Sequence, residues 1–382
     1  MFEEKKDLRI PGPSPVPPRV LRATSKPMMG HRSSEFKVLY ADVVGRLKPL
    51  FGTEEDVMVI TGSGTAAMEA AVANTVSPKD KVLVCVGGKF GERWALIAES
   101  YGAEVITYEY DWSTPADPAM IAKHLQENPD IKVIFATQNE TSSTVLNDIE
   151  GISKARGGSD ALLVVDAVSS LGGAEFNMDQ WGVDITVTGS QKCLMLPPGF
   201  AFIACSKRAW KVIEGNTSPR YYLDLRAYLK EVKKGQTPFT PNVQLVYGLA
   251  EVLDMLQAEG LPNILRRHKV MRRMTRTAFS AMGLELFVKD EKYASPTVTA
   301  VVGAGKFDVE GYRKVLNKEF GIVVAGGQDH LKGQILRVGH MGYSTPIDML
   351  GVIATMEVAL KKVGCDLPLG AGIKAAQEVL AE

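Results

Sequence analysis

The chain has 382 residues, enough for two domains of roughly 100–200 residues each, and its 45% hydrophobic and 23% charged residues suit an ordinary folded protein rather than a disordered or fibrous one. Lys plus Arg equals Asp plus Glu at 44 each, so no excess of cations is available to neutralise nucleic-acid phosphates or anionic lipid, and neither nucleic acid nor membrane is an expected partner. The N-terminus lacks the apolar core of a signal peptide and no apolar run is long enough to cross a bilayer, so a cytoplasmic location is expected.

In chain order, residues 9–19 read RIPGPSPVPPR, in which five prolines fix φ and remove backbone donors. An extended arm over residues 1–20 is expected, lying on the protein's own surface or on a partner's. From about residue 56 to 205, short runs rich in Val, Ile and Phe alternate with helix-like segments. The expected strands are 57–60, 81–86, 104–110, 132–137, 161–167, 184–190 and 199–205. Several lack polar alternation, as strands buried on both faces do, and the intervening segments are long enough for crossover helices. From 244 to 282 the period changes: Leu245, Leu249, Val252, Leu253 and Leu256 recur at three- and four-residue steps, then Gly260-Leu261-Pro262 precedes a strongly basic helix. Beyond it, strands at 297–302 and 334–339 alternate with helices. The pattern predicts an α/β fold with a mostly parallel central sheet in a large domain, residues 21–262, and a smaller C-terminal α+β domain, residues 263–382.

The four cysteines, Cys85, Cys193, Cys205 and Cys365, are scattered without a Cys-x-x-Cys pair, so reduced thiols and no metal site are expected. Three other motifs bear on chemistry. Thr61-Gly62-Ser63-Gly64-Thr65 leaves a strand and opens a helix, where free N–H groups and the helix dipole favour an anion. A glycine-rich turn with no ligand fits the same residues, and neither the dinucleotide spacing nor a P-loop lysine is present. Asp166 ends an apolar strand, at the edge where open α/β sheets place ligands; capping the next helix is its alternative role. Lys192 follows the strand end Gly189-Ser190-Gln191. Buried there, a lysine must be paired, neutral or covalently used; an exposed, solvated lysine is the alternative.

Together these describe a phosphate cradle, a carboxylate and a lysine at strand ends of one sheet. With PGPSPVPPRV, TGSGTAAMEAA, GGKFGER, ETSS, VVDAVSSLGG, GVDITVTGSQKCLMLPPG, TPFTP and LRVGHMG, the chain resembles, almost end to end, the class V aminotransferases of the pyridoxal-phosphate (PLP) transferase fold type I, specifically the alanine–glyoxylate and serine–pyruvate group. The resemblance implies pyridoxal 5′-phosphate as cofactor, carried by Lys192 as a Schiff base, with Lys192 also moving the substrate proton. Asp166 would hold the ring nitrogen protonated. Ser63, Gly64, Thr65 and Gln191 would bind the phosphate, and Thr141 the ring hydroxyl. Val168 would pack on one ring face and Phe90 on the other, where many relatives carry Trp. Arg337 would clamp the substrate carboxylate with its planar fork; an arginine on an edge strand is its alternative. Thr240 would reach the phosphate of a neighbouring subunit, implying a homodimer with shared active sites, and His31 and Arg32 lie in a stretch that resembles the same interface.

The run HxETSTG of relatives reads Gln138-Asn139-Glu140-Thr141-Ser142-Ser143-Thr144 here, so altered backbone geometry after Thr141 is expected. One arginine suffices for a monocarboxylate amino acid, and no second basic residue for a distal anion is identified. The expected reaction is therefore ping-pong transamination from alanine or serine to glyoxylate or pyruvate. Aspartate, an aminophosphonate or ureidoglycine as donor, a cysteine desulfurase-like lyase, and a non-catalytic subunit are the alternatives.

Overall fold

Apolar runs that lack polar alternation bury both faces. In the computed structural model, which describes residues 6–303 and 305–382, seven such runs form one sheet in the order Val57–Gly62, Gly199–Cys205, Ile185–Gly189, Leu162–Asp166, Val133–Thr137, Lys81–Val86, Glu104–Glu109. The sheet is mostly parallel: Gly199–Cys205 alone runs against its two neighbours. All seven expected strands are present, with ends shifted by a residue or two. Gly62, Gly189, Asp166 and Thr137 therefore finish their strands along one edge, and Asp166 lies in register with Thr137 on one side and Val187 on the other. Helices Gly64–Thr75 and Lys89–Ser100 pack against the sheet from loops at that edge.

A second sheet has the order Asp7–Arg9, Ile322–Gly326, Ile335–Gly339, Val298–Val302, Glu285–Leu286. It is antiparallel except for Asp7–Arg9, which pairs parallel to Ile322–Val324. The proline-rich segment thus begins as a strand of the C-terminal sheet. Its extended run ends at Pro17, because Pro18 opens helix Pro18–Thr24 at a position where a missing N–H costs nothing. Residues 18–20, assigned to the arm from sequence, belong to that helix, and residues 1–5 of the arm lie outside the described residues.

Helix Val243–Glu259 ends at Gly260, whose φ of 80° turns the chain into helix Leu261–Ala281. This second helix joins the two large apolar clusters: Ile264 closes one that begins at Val20, and Met271 opens one that runs to Val379. No helix among the described residues is long and apolar enough to cross a membrane.

Candidate active site

Asp166 is the last residue of its strand and is 2% exposed. Its Oδ1 accepts a 2.7 Å hydrogen bond from Val168 N–H. Burial nevertheless pushes its pKa up to about 6, against the opposing pull of that N–H and of Arg93 and Lys192. Lys192 lies three residues beyond the neighbouring strand and is 8% exposed. Burial brings its pKa down to about 8, with Asp166 as the first of the groups favouring its charge. Its Nζ donates to the carbonyl of Pro11, so the N-terminal arm lies directly on the amine. Ser14 fixes the arm there, its N–H donating to Gln191 O at 2.9 Å and its hydroxyl to Lys192 O at 2.7 Å.

Three loops converge on the start of helix Gly64–Thr75. Its N-cap Ser63 makes no side-chain capping bond, and its first turn carries no acidic residue, so the dipole end is left for an external anion. Space there is tight. A Cβ at Gly64 would meet Val168 Cγ2 at 2.9 Å, and one at Gly189 would lie 3.0 Å from Gln191 Oε1 and 3.5 Å from the Gly64 backbone. That Gln191 oxygen is buried with no partner among the described residues. Thr65 Oγ1 accepts a 3.2 Å hydrogen bond from Arg93 Nη1, and the Arg93 guanidinium lies 4.7 Å from the Phe90 ring centroid. Arg93 is a cation that sequence reasoning missed: an arginine three residues after Phe90 in GGKFGER is the signal, but helical spacing alone does not aim it at the cradle.

Arg337 stands on the middle strand of the second sheet, opposite Ala300 on one side and Ala325 on the other, so the edge-strand alternative is excluded. Its Nε donates to Gly326 O at 2.8 Å, and its Nη1 to Thr141 O at 2.8 Å and Gln328 Oε1 at 3.2 Å. Burial lowers its pKa to about 10, which leaves it charged at neutral pH. Thr141 is buried and donates its hydroxyl to Ser169 Oγ at 2.6 Å. The turn behind it is closed by Thr144 in the left-handed region at φ 62°, a costly conformation for a β-branched residue, held by Thr144 N–H to Glu140 O at 2.7 Å.

Glu140 was also missed as a positioning group. It is 1% exposed and accepts from the N–H groups of Phe90 and Gly91 at 3.1 Å, and from Ser142 through N–H at 3.1 Å and hydroxyl at 2.5 Å. It therefore ties the Phe90 helix to the Thr141 turn. Two expected groups stand apart. Thr240 is exposed, with no hydrogen bond to these residues among the described ones. Arg32, also exposed, donates to the carbonyls of Thr237 and Pro238 at 2.6 and 3.2 Å and so braces the loop carrying Thr240, while His31 lies half-buried on the preceding turn.

Residues 8–349 match the family described as aminotransferase class V. An uncharacterised aminotransferase of Methanocaldococcus jannaschii is 44% identical over 98% of both chains. A protein of Synechococcus named as the small subunit of a soluble hydrogenase is 42% identical over 100% of both. The serine–glyoxylate aminotransferase of Methylorubrum extorquens is 36% identical over 98% of this chain and 96% of its own. Among solved structures, ureidoglycine–glyoxylate aminotransferase from Bacillus subtilis superimposes with a TM-score of 0.93 at 32% identity, covering 99% of this chain and 98% of its own.

Proposed function

The chain belongs to the class V aminotransferase family, and from that premise we propose that it is a cytoplasmic, pyridoxal 5′-phosphate-dependent transaminase. It would move the amino group of alanine or serine to glyoxylate or pyruvate by a ping-pong mechanism. One observation carries the reading: a buried aspartate that ends one strand and a buried lysine three residues beyond the neighbouring strand share one sheet edge, where burial raises the acid's pKa and lowers the amine's. Ionisable groups held out of water in this way cost stability, and such perturbed groups cluster at functional sites, which favours chemistry over a non-catalytic subunit.

The residues present fit the cofactor. The uncapped helix start suits a phosphate, to which Gln191 would donate through its amide nitrogen, Asp166 suits a protonated ring nitrogen, and Lys192 is the amine that would hold the aldehyde. When bound, the group supplies an electron sink next to the substrate α-carbon. Lys192 Nζ, largely neutral above about pH 8, would take the substrate α-proton and give it back as the amino group is transferred. Arg337 fixes the α-carboxylate and so the orientation of the bond that loses its proton. Phe90 and Val168 would pack against the ring and keep water from it.

Arg93 is a second cation, but it is engaged at the cradle by Thr65 and Phe90, so small monocarboxylate donors remain the reading. Relatives named for glyoxylate support the acceptor. A desulfurase needs an accessible thiolate, whereas burial pushes Cys85 and Cys193 up to about 12 and raises Cys205 and Cys365 as well. The exposed Thr240 loop, beside an 82% exposed Tyr221, is the surface through which a second copy would complete each site.

The test is a single half-reaction with a panel of amino acids, followed by loss of the cofactor's visible band and its return on adding glyoxylate or pyruvate. Alanine or serine should react fastest, Lys192→Ala should not react, and Arg337→Ala should lose about 2–5 kcal/mol of transition-state stabilisation. A preference for aspartate would replace the donor, and no exchange with any amino acid would remove the transaminase reading.

A further inference from the structure

Arg93 stands one helical turn beyond Phe90 on Lys89–Ser100 and is half-buried beside the cradle. Among the described residues it forms no ion pair with a carboxylate, so its charge is left for another partner. Its polar contact is the 3.2 Å bond to Thr65 Oγ1, and its guanidinium plane covers the Phe90 ring at 4.7 Å.

The chemistry of that bond has a direction. A guanidinium only donates, so in this contact the Thr65 hydroxyl is the acceptor. Its own hydrogen is thereby turned away from Arg93 and kept for another acceptor. Thr65 is the second residue of a helix whose first turn lacks a side-chain cap, so the acceptor that fits is an anion seated on the helix start. The same guanidinium adds positive charge there and stacks on Phe90, while Glu140 holds the Phe90 backbone from the other end.

From this geometry we infer that Arg93 is a positioning residue for the cofactor phosphate: it sets the Thr65 hydroxyl as a donor to the phosphate and locks the Phe90 ring. The inference rests on the transaminase reading above. Its ligand is the phosphate group, not a distal carboxylate of the substrate, because Arg93 meets the cradle through Thr65.

Apoprotein titrated with pyridoxal phosphate and, separately, with pyridoxal tests it, the visible band giving each affinity. Arg93→Ala should weaken pyridoxal phosphate binding by about 10- to 100-fold, the scale of one charge-assisted hydrogen bond, and leave pyridoxal nearly unaffected. Arg93→Lys, which keeps the charge without the fork, should restore part of the loss. Thr65→Val combined with Arg93→Ala should lose less than the sum of the two, since one works through the other. Equal losses for the two ligands, strict additivity, or a change confined to aspartate-over-alanine preference would overturn the role. If Arg93→Ala does not fold, Arg93→Lys and Thr65→Val still report the phosphate selectivity. Wild-type protein that takes up neither ligand would count against the transaminase reading itself, whereas wild-type uptake with an unaffected Arg93→Ala removes only the role of Arg93.

Discussion

Lys192 would keep its proton to about 10.5 in water, but its burial beside Arg93 and Arg337 lowers that value to about 8 despite the attraction of Asp166. Only the neutral amine attacks an aldehyde. The pKa is lowered, so the reactive form is the one that accumulates as pH rises. Covalent capture of pyridoxal phosphate by the apoprotein should therefore slow by about tenfold per unit below pH 8 and level off above it. A stopped-flow profile that keeps rising to pH 10 would mean that Lys192 is solvated. At this scale the sequence was informative where a residue type is rare in its setting: an aspartate and a lysine at apolar strand ends stand out. Arg93 and Glu140 do not, because an arginine on a helix and a glutamate in a turn are ordinary until the fold shows what they touch.

Unbroken apolar runs made the seven strands of the large sheet readable, since burial on both faces leaves no other pattern. The reversed direction of Gly199–Cys205 was not readable, because a run of apolar residues carries no sign of which way it pairs. The Asp7–Arg9 strand escaped for a related reason: three residues of mixed polarity, followed by prolines, look like a surface arm until Ile322–Val324 offers them a partner. That arm has a consequence for the site. Gly12 has φ 117°, and a Cβ there would lie 2.5–2.7 Å from Lys192 Cδ, Cε and Nζ. Gly12→Ala should cost about 1–3 kcal/mol of stability through its backbone conformation and, by displacing the amine from Pro11 O, slow cofactor capture. Thermal unfolding and capture kinetics measured together check this; unchanged capture in a destabilised variant would show that the arm does not set the amine's position.

Taken as a whole molecule, the site is assembled from parts far apart in sequence. The large sheet's edge contributes Asp166 and Lys192, the second sheet contributes Arg337, and the N-terminal arm crosses between them, with its strand in the second sheet and its Pro11 carbonyl on Lys192. The Arg337 bond to Thr141 O is a direct tie between the strand Ile335–Gly339 and the hairpin turn beyond Thr137. The proposed function depends on one covalent attachment point, and its location can be measured directly. Borohydride reduction of protein loaded with pyridoxal phosphate, followed by peptide mass spectrometry, should find the stable adduct on Lys192 and on no other lysine. An adduct on a different lysine, or none after the cofactor has bound, would contradict the account.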